Sequence, residues 1–420
     1  MRLFQLFFFL LILAGNIFAG ELVMLKNGVS LITEKRDYTK TLSITVMIKG
    51  GMFRESSMNY GIGDLFASVW LKSNNILKNI EFLGGSVGAS SSYDYTEVGV
   101  SIISEFADRM LVDLDRFFNN PEFSQKVFDV EKNIQLNRIK NLKDNANSVA
   151  AKGFNMATYG DFVYSQETMG TKETVSSLTL DDIKRYYSDI MKGEDFIVSI
   201  AGNYNDSILK EIVKIFEKIP AGKSHFNLDC EKSIIKDDKY VLEDYDRIKQ
   251  AKLYIAYTAP SAGSRDYLAI KLLSDILGGG MSSKYFNILR KEKGYAYSVG
   301  SYYPSRICNS RFVAYIGLQY SNVKDAIETI DGINKNIKNY ITEDDIKYNK
   351  NYILGKILSE AQTNSKISWY NAFFTNLGLG AGYLSKYIEG IKGLSMDDLV
   401  RVSEIFHNPK TIYVLKPSNE

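Results

Sequence analysis

The stretch Ser177-Leu178-Thr179-Leu180-Asp181-Asp182-Ile183 has a counterpart in the second half of the chain, Gly393-Leu394-Ser395-Met396-Asp397-Asp398-Leu399. In both, a hydroxyl residue (Thr179, Ser395) stands where a helix N-cap is wanted. A pair of aspartates follows in the first turn, where the helix dipole favours negative charge. Each predicted helix is followed by a run of strand character, Phe196-Ile197-Val198-Ser199-Ile200 in one case and Thr411-Ile412-Tyr413-Val414-Leu415 in the other. The same helix-then-strand ending, met twice, predicts a duplicated α+β unit, two copies rather than a solenoid.

The bulk properties agree with two domains. A chain of 420 residues is longer than one hydrophobic core usually serves. Hydrophobic content of 45% and charged content of 24% are ordinary for a globular protein. A net charge of +2 gives no argument for nucleic acid or an anionic membrane as partner.

Further elements are readable outward from the repeat. Leu42 to Ile48 alternates as a strand, as does Tyr95 to Ile102, and Phe128 to Asn141 has helical periodicity. In the second half, Ala251 to Thr258 reads as a strand and Tyr267 to Leu277 as a helix. The segment 221–245 is charged and weakly periodic and is expected to link a domain at 20–220 to one at 246–420.

At the N-terminus, Arg2 precedes the apolar run Leu3 to Phe18, and Ala19-Gly20 follow. This is a secretory signal pattern over residues 1–19, cleaved after Ala19. A buried helix or a membrane anchor is the competing reading, but the run is short for a span of about 20 residues. Export places the protein in the periplasm, with no stable membrane span. There oxidation permits a disulfide between Cys230 and Cys308. Two cysteines far apart in sequence do not establish a bridge, and the expectation is that none forms.

Three motifs carry a family resemblance over nearly the whole mature chain. The first is Tyr60-Gly61-Ile62-Gly63-Asp64-Leu65-Phe66-Ala67-Ser68-Val69, preceded by Arg54-Glu55. The second is Gly84-Gly85-Ser86-Val87-Gly88-Ala89-Ser90. The third, and most specific, is Leu277-Gly278-Gly279-Gly280-Met281-Ser282-Ser283-Lys284 with Leu289-Arg290-Lys291-Glu292-Lys293-Gly294-Tyr295-Ala296-Tyr297-Ser298-Val299. Together they resemble the inverted-zinc-motif peptidases, the insulinase, pitrilysin and mitochondrial-processing-peptidase family. The resemblance implies an α+β fold of two homologous domains. Each is a mainly antiparallel sheet with helices packed on one side, and the two face one another across a clam-like cleft.

In that family the first motif reads Gly-x-(Gly/Ala)-His-x-x-Glu-His. Two His bind zinc from one helical face and the Glu activates water. Here the three positions are Asp64, Ala67 and Ser68, which share a face because they are three and four residues apart. Asp64 is one possible oxygen ligand, Ser68 is a poor one, and Ala67 can neither bind metal nor take a proton. The third ligand, a later Glu in the family, aligns with Arg138, or with Glu131 if the alignment slips along the helix. An Arg is no metal ligand, so no cofactor is expected in this chain. Arg138 opposite Asp64 suggests a salt bridge or water-linked pair; two separately solvated charges are the alternative. The chain's two His, His225 and His407, lie far from the motif and read as structural or solvated.

In contrast, Arg290 and Tyr297 are intact. In the family an Arg and a Tyr at this spacing reach into the cleft and hold substrate carbonyls and the oxyanion, work that suits forked donors and a polar tip on a rigid ring. Gly88 and Ala89 fall where, in the family, an extended peptide adds to a sheet edge by main-chain bonding. The resemblance therefore implies a non-catalytic subunit. Its partner would be a zinc-motif homologue that carries the zinc, in a heterodimer around a peptide substrate; a homodimer is the other assembly considered. The competing reading is a proteolytically inactive peptide-binding or assembly scaffold with the same fold.

Overall fold

The computed structural model describes residues 20–226 and 228–418. The expected signal segment 1–19 lies outside the described residues.

Each copy of the repeated stretch begins a helix with a reciprocal cap. Thr179 Oγ1 accepts the Asp182 N–H while the Asp182 carboxylate accepts the Thr179 N–H, at 3.3 and 2.8 Å. Ser395 and Asp398 repeat this at 3.3 and 2.9 Å. Such a cap satisfies two N–H groups that the helix leaves unpaired, for about 1 kcal/mol. The duplication extends to the neighbours. Lys132 donates to the carbonyls of Ser176 and Leu178, closing the end of the Lys172–Ser177 helix. Lys350 does the same for Lys392 and Leu394 at the end of Tyr383–Gly393.

The strands show the same duplication. The first sheet contains β1 (Glu21–Met24), β2 (Ser30–Lys35), β3 (Thr41–Lys49), β4 (Ser86–Ser91), β5 (Tyr95–Ile103) and β6 (Phe196–Gly202), ordered β1-β2-β6-β3-β5-β4. The second contains β7 (Lys239–Tyr245), β8 (Ala251–Ala259), β9 (Ser298–Tyr302), β10 (Ser310–Leu318) and β11 (Lys410–Pro417), ordered β7-β11-β8-β10-β9. β2 with β6, and β7 with β11, are parallel; the other pairs are antiparallel. β2-β6-β3-β5-β4 thus recurs, strand for strand, as β7-β11-β8-β10-β9, and β1 is an addition. The result is the expected α+β architecture: within each half, helices pack on one side of that half's own sheet.

The other side of each sheet is covered by the opposite half. β3 is expected to alternate, yet Leu42 to Ile48 is buried throughout. The reason is the helix Asn364–Asn376, which lies on its far face. Trp369, Ala372 and Phe373 pack there against Ile32, Met47 and Ile197. Ser368 Oγ donates to the Ser199 carbonyl at 2.8 Å, and Trp369 Nε1 donates to Glu97 at 3.0 Å. In return, the helix Ala146–Tyr159 of the first half covers the second sheet, with Ala150 and Phe154 against Ala256, Val313 and Tyr413. A Cβ at Gly153 would lie 2.1 Å from the Tyr413 hydroxyl, so only glycine allows this approach. The two halves face one another as the shells of a clam, with these two helices between them.

Two expectations need correction. The segment 221–245 is not a linker throughout, because its last seven residues form β7 at the edge of the second sheet. Its charged side chains point to solvent, which is why the strand is hidden in the sequence. Cys230 and Cys308 are bonded, with Cα atoms 5.0 Å apart. The turn Cys230–Ser233 packs against a cluster that includes Phe162, Tyr164 and Cys308, and this brings together residues 78 apart in sequence. Replacing both cysteines with Ser is expected to lower stability by about 2–4 kcal/mol, chiefly through the freed unfolded chain. Denaturant titration of the double variant measures it, and an unchanged midpoint would mean the bridge does not constrain the chain.

Candidate functional site

The helix Ile62–Leu71 directs Leu65, Phe66, Val69 and Trp70 into the first core, each 0–1% exposed. Trp70 Nε1 donates to the Phe117 carbonyl at 2.9 Å. The helix starts at Gly61, whose φ of 96° is costly for other residues. Its first amides are held by a side chain, since Glu55 accepts the N–H of Gly61 at 2.7 Å and of Gly63 at 3.1 Å. Gly63 must lack a side chain, because a Cβ there would lie 2.6 Å from the same carboxyl. Arg54, next to Glu55, pairs with the buried Asp195 at 2.9 Å.

Asp64, Ala67 and Ser68 share one face, with Asp64 and Ser68 half-buried and Ala67 buried. Burial raises the Asp64 carboxyl above the usual aspartate range, and the charge of Arg138 pulls it back. Arg138, rather than Glu131, is therefore the charge on the helix Gln125–Leu142 that acts on Asp64. The two form no direct ion pair among the described residues, and Arg138 is exposed. Sequence reasoning did not single out Gln135, which lies between Glu131 and Arg138. Its Nε2 donates to the carbonyls of Gly61 at 3.0 Å and Met169 at 2.8 Å, tying the long helix to the start of the motif helix.

These residues do not fit zinc. One carboxylate, one methyl, one hydroxyl and a guanidinium supply neither the number nor the softness of donors that zinc takes. Among the described residues no cluster of three or more His, Cys, Asp or Glu is placed to hold a metal.

The start of the motif helix does hold a perturbed acid. Burial pushes the Glu55 carboxyl up to about 8, against the two backbone N–H groups that favour its charged form. Between its ordinary value of 4.5 and about 8 the folded protein keeps a proton that the unfolded chain has lost. Its contribution to stability is therefore complete below the lower value and is lost as pH rises through the upper one. Thermal melts are expected to show stability falling across that window in the native chain and a flatter profile in Glu55→Gln. An identical profile in the variant would assign the pH dependence elsewhere.

Arg290 lies in the π-helical turn Phe286–Glu292, an irregularity often met at functional sites. Its Nη1 donates to the Tyr297 carbonyl at 3.1 Å, and its guanidinium stacks 4.9 Å from the Phe286 ring centroid. The Tyr297 N–H donates to the Gly317 carbonyl at 3.1 Å, so Tyr297 leads directly into the edge strand β9. Its ring is 78% exposed. The fold thus brings Arg290 and Tyr297 together on an open sheet edge. It does not bring them to Asp64: no hydrogen bond or ion pair joins the two groups among the described residues.

Gly88 and Ala89 lie on β4, the opposite number of β9, which is likewise an edge strand and pairs only with β5. Gly88 is exposed, and the space where its side chain would stand is open. His407 is exposed; His225 is exposed too but, contrary to expectation, lines the same hollow as Arg54 and Ile62 at the start of the motif helix.

A duplicated sheet-and-helix unit whose halves face one another as a clam defines a peptidase-like fold. The chain belongs to peptidase family M16. The family description "Insulinase (Peptidase family M16)" matches residues 30–172, and "Peptidase M16 inactive domain" matches residues 177–353. An "Uncharacterized zinc protease YmxG" of Bacillus subtilis is 28% identical over 82% of this chain and 85% of its own. A "Non-peptidase homolog YmxG" of Helicobacter pylori is 23% identical over 85% of this chain and 84% of its own. The crystal structure of a "peptidase M16 inactive domain" from Pseudomonas fluorescens superposes with a TM-score of 0.85 at 15% identity, over 95% of this chain and 98% of that one. Among the described residues no helix is long and apolar enough to cross a membrane.

Proposed function

We propose that this chain is the non-catalytic subunit of a periplasmic zinc peptidase. It contributes Arg290 and Tyr297 to a heterodimer with a homologue that carries the zinc. The observation that carries this reading is the pairing of two opposite changes on one scaffold. The metal positions hold Asp64, Ala67, Ser68 and Arg138, whereas the Arg/Tyr turn is intact, exposed and set at the start of an edge strand. Arg290 spends one N–H on the Tyr297 carbonyl and keeps the rest of its fork for a partner, and the Tyr297 hydroxyl is free to donate. A peptide could add to the edge at Gly88 and Ala89 by main-chain bonding. Copurification from the native cell envelope tests the proposal. Recovery of a zinc-motif homologue with this chain is expected; recovery of the chain alone, or of a homodimer, counts against it.

One observation favours the second reading, an inactive peptide-binding or assembly scaffold. The Arg290 contacts to Phe286 and the Tyr297 carbonyl are also what would hold the turn in shape without any substrate. On that reading, Arg290→Ala would lower stability and leave peptide cleavage by any copurified complex unchanged.

A further inference from the structure

A cavity of about 480 Å³ lies where the two halves meet, between the helices Tyr267–Gly278 and Glu343–Glu360, the inserted helix Asn364–Asn376 and Tyr95 of β5. Its volume is that of a small-molecule site. Tyr267, Trp369, Tyr370, Phe374 and Tyr387 supply flat apolar walls. Lys271 sits among them with little to hold its charge. Its Nζ is 3.4 Å from Ser305 Oγ and lies 5.8 and 5.9 Å from the ring centroids of Tyr267 and Tyr303. It makes no ion pair among the described residues.

The charges lining the cavity do not cancel. Lys271, Lys356 and Lys366 face Asp275 and Glu360, and Glu360 already accepts the Tyr370 hydroxyl. Three cations against two carboxylates leave one positive charge. Burial disfavours the charged form of Lys271, and Asp275, one turn further along the helix, only partly restores it. A half-buried ammonium without a carboxylate in contact is costly, and an arriving carboxylate would reduce that cost.

The position is not arbitrary in the fold. Lys356 occupies the same place on its eighteen-residue helix Glu343–Glu360 as Arg138 does on the eighteen-residue helix Gln125–Leu142. Each of these helices starts at a hydroxyl N-cap, Ser124 or Thr342. The cavity is thus bordered by the second-half counterpart of the helix behind the altered metal site. The first half has the carboxyls of Asp64 and Glu55 there, and the second has a walled, cationic hollow.

We propose that this cavity is a binding site for an aromatic monocarboxylate, with the acid on Lys271 and the ring against the wall that Tyr267, Phe374 and Tyr387 form. The ligand is a free aryl acid or the C-terminal aromatic residue of a peptide, which present the same chemistry. The proposal is independent of any peptidase partner.

Calorimetric titration of the full mature chain tests it with four probes: indole-3-acetate, an N-acetylated tetrapeptide ending in Phe, and the amide of each. At least one acid is expected to bind, and which one binds distinguishes the free from the peptide source. The amides are expected to bind about tenfold to a hundredfold more weakly, because a hydrogen bond to a charged group is lost. Lys271→Met should weaken the acid by the same factor with an unchanged circular dichroism spectrum. Lys356→Ala, at an exposed position, should weaken it by about twofold to fivefold and serves if the first variant does not fold. Equal affinity for acid and amide, full affinity in both variants, or no binding of either acid at millimolar concentration would overturn the proposal.

Discussion

In the assembled complex, Arg290→Ala and Tyr297→Phe are each expected to slow peptide cleavage by about 10²–10³-fold, the usual loss on deleting an oxyanion donor. The loss should fall on kcat more than on KM, because these donors bond most strongly to the charge that develops in the transition state. The geometry explains why two small changes would do so much. Tyr297→Phe removes one hydroxyl from an exposed ring and leaves the backbone contacts of the turn in place. Arg290→Ala also frees the Tyr297 carbonyl and the Phe286 face, so some loss of order in the turn is expected as well. Comparison of the two separates chemistry from shape. Steady-state kinetics on the complex measures both, and a loss of tenfold or less in each would remove the pair from the reaction.

Arg311→Ala is expected to cost about 3–5 kcal/mol of stability, the range for stripping a buried charged group of its partners or its partners of it. Arg311 is 1% exposed and makes no ion pair among the described residues. Its guanidinium donates to Thr158 Oγ1 at 2.8 Å, to the Thr158 carbonyl at 2.6 Å, and to the carbonyls of Ser233 and Ser310. It stacks 3.9 Å from the Tyr159 ring centroid. One side chain thus joins the last turn of a first-half helix, the connecting segment and a second-half strand. Truncation leaves buried carbonyls without donors and a hole beneath Tyr159. Burial lowers the Arg311 pKa only to about 10, so the charge persists at neutral pH. Urea unfolding followed by circular dichroism measures the effect. A loss below about 1 kcal/mol, the scale of one ordinary hydrogen bond, would mean that the junction does not rest on this residue.

The sequence disclosed what local chemistry determines. Thr179 with Asp182 and Ser395 with Asp398 announce their caps, and the strand-like runs after them stand where β6 and β11 form. The motif helix Ile62–Leu71 forms where the first family motif stands, and the three motifs together predicted the fold. Contacts made at long range were not legible. Nothing in Leu42 to Ile48 says that a helix from residues 364–376 will cover its second face. Nor does the spacing of Cys230 and Cys308 say that an aromatic cluster will bring them together. Lys239–Tyr245 reads as linker because an edge strand with solvated side chains carries no hydrophobic alternation. Glu55 was visible as part of a motif, but its grip on the Gly61 and Gly63 amides depends on the backbone turning at Gly61. Gln135 carries no signal of its own, since a polar residue on an exposed-looking helix is ordinarily solvated.

The most direct measurement is peptide cleavage by this chain alone, by a purified zinc-motif homologue from the same organism alone, and by the two mixed, each with and without a zinc chelator. Cleavage only in the mixture, abolished by chelator and restored by zinc, is the expected result. Cleavage by the homologue alone at the rate of the mixture, or chelator-resistant cleavage by this chain alone, would contradict the role given to Arg290 and Tyr297.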